Sequence, residues 1–250
     1  MTTEPRGFDA PAGMPDSEAR AVGKVSQFLC TDTGVVRTRN EDNLLARPEV
    51  GLWVVCDGMG GHDAGDYASG HIVDALDALV LPPRHGERVQ AIRRCLGECN
   101  RHLLEYAQAH GFAHVGSTVV VLCMQDRRAA VIWVGDSRVY LLRNQHLRQV
   151  SRDHSVAEEL ADCGLIQPGE NLSAITRAVG AAPELLTDLA LLESRPGDTW
   201  LLCSDGVSGV LSDSAIASLL CTASDPAGAL VAAAIEAGSR DNCTALVLRM

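Results

Sequence analysis

The order of strand-length and helix-length apolar stretches limits the fold of this chain more than any other feature. Two long stretches, at about 64–79 and 87–109, repeat apolar residues every three or four positions, which predicts helices. Apolar runs rich in Val and Leu predict strands at 51–56, 117–124, 129–134, 138–142, 199–203 and 244–248. Because a regular β-α-β alternation is lacking, the sequence favours an α+β fold with largely antiparallel sheets over a doubly wound fold.

Two local signals mark a helix start and a bend. Asp225 followed by Pro226 is an N-cap and first-turn pair, which predicts a helix that ends near Ala237. The break at 135–137 separates two of the predicted strands and contains a glycine, so it predicts a turn or a sharp bend.

The length and composition suit one soluble domain. The chain has 250 residues, of which 46% are hydrophobic, and no linker or repeat divides it. We expect a flexible tail at 1–20, which is polar and rich in proline, followed by a single domain at 21–250. No apolar run of signal-peptide or membrane-spanning type occurs, which predicts a cytoplasmic protein that does not enter a membrane.

The cysteines and the net charge exclude several classes of protein. Nine cysteines are scattered singly, mostly inside apolar runs, as small hydrophobic residues are in a reducing cytosol. Cys95 and Cys99 lie four positions apart without a second pair, which argues against a zinc site. The formal charge of −11 argues against nucleic-acid binding and leaves room for cations.

Four aspartates share one setting at the ends of predicted strands. Asp57, Asp136 and Asp205 each follow an apolar run, and Asp241 precedes the last one. If the last strand is antiparallel to the others, all four carboxylates meet at one edge of the sheets. Carboxylates that close must protonate or bind cations, and an all-oxygen cluster suits Mg²⁺ or Mn²⁺. Taken singly, each aspartate is also consistent with a turn or cap residue.

Glycines accompany the first of these aspartates and complete a recognisable series of motifs. The segment at 57–62 has few side chains and suits a backbone that turns tightly beside a ligand. The motifs are, in order, RTRNEDN at 37–43, DGMGGH at 57–62, GST at 116–118, GDSR at 135–138, SDG at 204–206 and DN at 241–242. From about residue 26 to the C-terminus, this series resembles the motifs of the bacterial type 2C metal-dependent Ser/Thr protein phosphatase family.

The resemblance implies a fold and a set of metal ligands. The implied fold is an α-β-β-α sandwich of two central antiparallel sheets flanked by helix pairs, with a flap at about 154–180 beside the site. Asp57 would bridge two tightly bound Mn²⁺ or Mg²⁺ ions. Asp205 and Asp241 would complete the first ion, and the carbonyl of Gly58 would bind the second.

Further residues are implied around this metal pair. Asp42 and, through water, Glu41 would lie near the second ion. Asp136 would share a third, weaker ion with Asp205. A water between the two tightly bound metals would have a lowered pKa and attack phosphorus in line.

The resemblance also implies two catalytic side chains. Arg37 matches the arginine that holds the substrate phosphate, and a guanidinium offers paired donors to phosphate oxygens. The alternative for Arg37 is a solvated charge near a strand end. His62 is the candidate general acid, although other branches of the family place their histidine where this chain has Met59, so a hydrogen-bonding or structural role stays open.

The implied partners are phosphorylated proteins and a cognate bacterial Ser/Thr kinase that the enzyme opposes, and the implied state is a monomer. Two alternatives stay open: a catalytically inactive regulatory module and a phosphatase dedicated to a partner-switching regulator. The motif at 37–43 favours the kinase-opposing branch. The residues before Ile175 depart from those of many bacterial relatives, which leaves the substrate preference of the flap open.

Overall fold

The computed structural model describes residues 25–60, 64–165 and 174–250. The predicted tail at 1–20, the predicted general acid His62 and part of the predicted flap lie outside these residues. The strands are β1 Ser26–Asp32, β2 Asp42–Arg47, β3 Leu52–Gly60, β4 Val115–Ser117, β5 Val119–Gln125, β6 Arg128–Val134, β7 Arg138–Arg143, β8 His146–Gln149, β9 Asp188–Glu193, β10 Thr199–Cys203 and β11 Cys243–Arg249. The helices are α1 Ala64–Asp77, α2 His85–His110, α3 Val156–Asp162, α4 Asp205–Ser208, α5 Asp213–Thr222 and α6 Pro226–Glu236.

The strands form two antiparallel sheets that pack face to face. One sheet has the strand order β1-β11-β10-β7-β8, and the other has the order β2-β3-β5-β6-β9, with β4 paired to the end of β3. Helices α1 and α2 cover the outer face of the second sheet, and α5 and α6 lie on the first sheet. The predicted α-β-β-α sandwich is confirmed.

Three apolar layers explain why the predicted strands are almost continuously apolar. Along β3, Trp53 and Val55 point into the layer between the sheets, whereas Leu52, Val54 and Cys56 point towards α1 and α2. A strand that is covered on both faces has no solvent-facing side and needs no polar alternation.

The local signals are confirmed at the late helix. The side chain of Asp225 accepts a hydrogen bond from the backbone N–H of Gly228 (3.2 Å), and Pro226 occupies the first turn. Helix α6 ends at Glu236, one residue before the predicted end.

Two strand boundaries differ from the prediction around Asp57. This residue lies inside β3 rather than after it, because β4 pairs with the last three residues of β3 and extends it to Gly60. The run predicted at 117–124 is broken at Thr118, whose backbone N–H donates to the carbonyl of Asp57 (2.8 Å). The strand break at Thr118 therefore supplies one of the hydrogen bonds that hold the backbone of Asp57.

Within the residues that the structure describes, none of the helices combines the length and the apolar character that crossing a bilayer requires.

Candidate active site

All but one of the carboxylates that the sequence singled out line one cavity at the edge of the sandwich, and the exception is Asp42. The cavity has a volume of about 260 Å³. Five carboxylates and one guanidinium line it, from Glu41, Asp57, Asp136, Asp205, Asp241 and Arg37. The backbone of Gly58 lies beside them. Because β10 and β11 are antiparallel, the end of one and the start of the other bring Asp205 and Asp241 together.

Hydroxyl groups from the motif at 116–118 hold the backbone of Asp57. The hydroxyl of Ser117 donates to the carbonyl of Asp57 (2.9 Å), and the backbone N–H of Asp57 donates to the hydroxyl of Thr118 (3.1 Å). The same Thr118 oxygen lies 2.7 Å from the hydroxyl of Ser137, which follows Asp136. Two of the motifs thus fix Asp57 without using its carboxylate.

Asp42 lies beside Asp57, on the neighbouring strand of the sheet. The two residues are paired in register between β2 and β3, and Asp42 is buried and does not line the cavity. Its Oδ2 accepts a hydrogen bond from the hydroxyl of Ser204 (2.7 Å), the residue before Asp205. Its Oδ1 has no hydrogen-bond donor among the described residues.

Asn242 fastens the loop that carries Arg37 and Glu41. Its side-chain amide donates to the carbonyls of Thr33 (2.9 Å) and Arg39 (2.8 Å), and its Oδ1 accepts from the backbone N–H of Glu41 (2.8 Å). The motif at 241–242 therefore supplies a cavity carboxylate from Asp241, and its Asn242 holds the loop that carries Arg37 and Glu41.

Arg37 reaches the cavity as an ion pair. Its Nη2 donates to Oδ2 of Asp241 at 2.7 Å, and about half of its side chain (49%) is exposed. The hydrogen bond to Asp241 raises the pKa of Arg37, which keeps the guanidinium charged. One side of the guanidinium is thus fixed, and the exposed side is open to an anion.

The glycines of the site allow segments of backbone to approach closely. A Cβ atom on Gly58 would collide with the carbonyl oxygens of Gly65 and Glu41, and one on Gly206 would collide with the carbonyl oxygen of Asn242. Only glycine fits at these two positions, directly after Asp57 and Asp205.

Burial and mutual repulsion disfavour a state in which all five cavity carboxylates are charged without bound cations. Withdrawal from water, followed by repulsion from Asp42 and Asp205, raises the pKa of Asp57 well above its usual range. Burial and the charge of Asp205 likewise raise the pKa of Asp42 and of Asp136 to about 7. Burial also raises the pKa of Glu41 and of Asp205.

These residues fit hard divalent cations. The donors are all oxygens, and a buried Oδ1 on Asp205 has no hydrogen-bond donor among the described residues. Bound cations would remove the repulsion and give this atom a partner. In the described ranges, no three Asp, Glu, His or Cys side chains are placed so that they could hold a metal ion on their own, and Asp241 is held by Arg37.

One positioning residue was missed by the sequence analysis. His154 is buried, its Nδ1 accepts from the backbone N–H of Gly135 (3.1 Å), and its own backbone N–H donates to the carbonyl of Gly135 (2.9 Å). The neighbouring Asp153 binds both Nε and Nη2 of Arg138. Residues 153–154 therefore hold the bend that presents Asp136. In the sequence, the one indication of this role is that Asp153 and His154 stand at the start of the predicted flap.

Comparison with known proteins identifies the family. The sequence model of the family described as Protein phosphatase 2C matches residues 24–160 of this chain. This chain belongs to the protein phosphatase 2C family. The assignment from sequence, a metal-dependent Ser/Thr protein phosphatase of bacterial type, is confirmed.

Relatives of this phosphatase 2C member match most of its length. It is 32% identical to the serine/threonine phosphatase stp of Listeria monocytogenes, over 87% of this chain and 93% of that protein. The structure of PppA, described as a key regulatory component of T6SS in Pseudomonas aeruginosa, matches with a TM-score of 0.86 and 39% identity, over 91% of this chain and 98% of PppA. The catalytic domain of PstP, in complex with two manganese ions, matches with a TM-score of 0.78 and 31% identity, over 90% and 97% of the two chains.

Proposed function

We propose that this enzyme removes phosphate from phosphoserine and phosphothreonine of phosphoproteins in the carboxylate-lined cavity, and so opposes a Ser/Thr kinase. The observation that carries the proposal is the meeting of five carboxylates and one arginine in a single cavity. An inactive regulatory module would be expected to lack one of the aspartates at 57, 205 and 241, and all three are present.

In this proposal the carboxylates divide into roles around two cations. Asp57 would contribute to holding both ions, Asp205 and Asp241 would complete the binding of one, and the carbonyl of Gly58 would bind the other. Divalent cations supply, when bound, a water of lowered pKa and neutralisation of charge on the phosphate oxygens. The central place of Asp57 among the carboxylates that raise its pKa supports the bridging role.

The outer carboxylates lie in two different positions. Glu41 lines the cavity, where a ligand water would connect it to the second ion. Asp42 lies beside Asp57 on the neighbouring strand, and its Oδ1 has no hydrogen-bond donor among the described residues. Both observations suit a residue close to the same ion. His62 remains the proposed general acid and lies outside the described residues.

Arg37 is the proposed phosphate-binding residue. Its fixed Nη2 and exposed opposite side offer donors to the oxygens of a phosphate, and a guanidinium binds such groups at two points. Asp241 would hold the guanidinium in place while its other oxygen accepts from the backbone N–H of Asn242 (2.9 Å).

Replacing Arg37 with Ala should therefore raise KM for phosphopeptides about 10-fold and weaken inhibition by inorganic phosphate, because Arg37 binds phosphate without binding metal. Steady-state kinetics measure both effects. Arg101, which is exposed on α2, provides the matched control: Arg101→Ala should change neither value. A large fall in kcat at unchanged KM would instead place Arg37 in the transition state alone.

Asp136 is proposed to hold a third, weaker ion together with Asp205. Each lies within the electrostatic reach of the other, since the charge of Asp205 raises the pKa of Asp136. A site with few protein ligands keeps several waters and binds weakly.

Asp136→Ala should accordingly leave two Mn²⁺ ions bound while it lowers kcat by about 10-fold or more. Titration calorimetry and steady-state kinetics on both proteins measure this. Loss of the tight sites would show that Asp136 helps to build the central pair, and no change in binding or rate would make it a turn residue.

The flap and the wider setting are also proposals. We propose that 154–180 borders the site as a flap of a single domain at 21–250, since Ile175 lines the cavity and Val179 bridges to Ser117. The likeness to PppA, described as a regulatory component, supports a signalling role. A monomeric state and a cytoplasmic location are further parts of the proposal.

The direct test is phosphate release by the purified protein with Mn²⁺ from matched peptides that carry phosphoserine, phosphothreonine or phosphotyrosine. We expect release from the first two and at least about 10-fold slower release from the third, since the larger ring holds its phosphate farther from the backbone. An absence of release from all three would favour the inactive module.

A further inference from the structure

A second depression adjoins the carboxylate-lined cavity and shares part of its wall. Its volume is about 500 Å³. Three side chains line both spaces, from Arg37, Asp205 and Asp241. We call the second space the Arg240 groove, after the cation that lines it but not the cavity. A molecule whose phosphate lies in the cavity would therefore have this groove directly beside it.

Arg240 is a cation without a partner at this place. Its side chain is exposed, and in the described part of the chain its guanidinium makes no hydrogen bond or ion pair. Arg37, by contrast, is held by Asp241 at 2.7 Å. An unpaired guanidinium is free to bind a carboxylate at two points.

Two valines, two glycines and Ser239 complete the lining of the groove. Val36 is 50% exposed and Val210 is 40% exposed, and both line the groove. Gly206 and Gly209 also line the groove, and a Cβ on either would collide with a backbone oxygen, so the close backbone approach here requires glycine. The two valines give the groove apolar surface that an apolar side chain of a bound segment could cover.

The charge of the whole protein makes Arg240 informative. The formal charge is −11, so the protein as a whole repels an acidic peptide. The two aspartates of the groove also line the cavity, where bound cations would neutralise them. Arg240 then leaves the groove with a net positive charge beside two apolar walls.

We propose that the Arg240 groove binds the substrate segment next to the phosphorylated residue, with Arg240 paired to a carboxylate of that segment and the valines in contact with an apolar side chain. This inference rests on the proposed function and adds a substrate class to it: phosphoproteins with an acidic residue flanking the phosphoserine or phosphothreonine.

The test compares kcat/KM for phosphothreonine peptides that differ only in Glu or Gln at one flanking position, with one pair for each side of the phosphothreonine. For wild type, the Glu:Gln ratio should be about three to five on one side, the factor that one exposed ion pair supplies. Arg240→Gln should bring this ratio to about one, and Arg240→Glu should bring it below one. The ratio for wild type should also fall in 0.5 M NaCl, because salt screens exposed pairs.

Arg148, which is exposed on β8 and lines neither space, is the matched control, and Arg148→Gln should keep the wild-type ratio. A wild-type ratio of one on both sides, or an unchanged ratio in Arg240→Gln, would overturn the inference while the Gln peptides still report phosphatase activity. Failure to hydrolyse any of the peptides would instead contradict the proposed function.

Discussion

Asp57→Asn is expected to lower kcat for a phosphothreonine peptide by more than about 10²-fold, which is the loss that follows removal of one preorganised electrostatic group. Asn keeps the shape of the side chain and removes the charge that the proposed bridge between two cations requires. The backbone contacts of Asp57 with Ser117 and Thr118 do not involve the carboxylate and should persist.

The folded state should tolerate this change. Burial and neighbouring carboxylates raise the pKa of Asp57, so the charged form is unfavourable in the metal-free protein. Asp57→Asn should then unfold, without metal, at a temperature no lower than that of wild type. Asp74, which is exposed on α1, is the matched control, and Asp74→Asn should keep normal kcat. A folded Asp57→Asn protein with near-normal turnover would contradict the bridging role.

The sequence predicted the inner strands of both sheets and missed the outer ones. The six predicted runs correspond to β3, β5, β6, β7, β10 and β11, which all have neighbours on both sides. The four strands at the sheet edges are β1, β2, β8 and β9. Inner strands lie between apolar layers on both faces and are continuously apolar, so the apolar-run criterion found them.

The edge strands lack this signal because solvent reaches them. In β9, Leu189 and Leu191 are exposed while Ala190 between them is half-buried, and most of β1 is exposed. An edge strand is held by backbone pairing with one neighbour, which leaves its side chains weakly constrained. Composition therefore carries little information about these segments.

The candidate site divides in the same way. Four of the five cavity carboxylates, Asp57, Asp136, Asp205 and Asp241, lie next to apolar runs that the sequence shows, and their meeting at one edge followed if the last strand was antiparallel to the others. Glu41 was implied only by the family resemblance. The side chains that fasten them could not be predicted, because each acts over a long distance in the chain. Ser204 binds Asp42 across 162 positions, and Asn242 binds Glu41 across 201. Only the packing of one sheet on the other brings these pairs together.

Removal of divalent cations is expected to have the largest effect of all. Activity on phosphopeptides should fall by more than about 10³-fold. Asp57→Asn removes one electrostatic contribution to catalysis, whereas removal of the metals takes away several of them together. The five carboxylates of the cavity would then face one another with Arg37 as the only cation among its lining residues. Mn²⁺ should also raise the unfolding temperature of wild type, since a ligand that binds only the folded state stabilises it.

The central claim is that the carboxylates of the two sheets hold the cations on which phosphoester hydrolysis depends. The rate of phosphate release from a phosphothreonine peptide, measured on EDTA-treated and desalted protein before and after addition of Mn²⁺, tests this claim most directly. We predict a rate close to background without metal and recovery of the original rate with Mn²⁺, but no comparable recovery in Asp57→Asn. Full activity in the metal-free protein would contradict the claim.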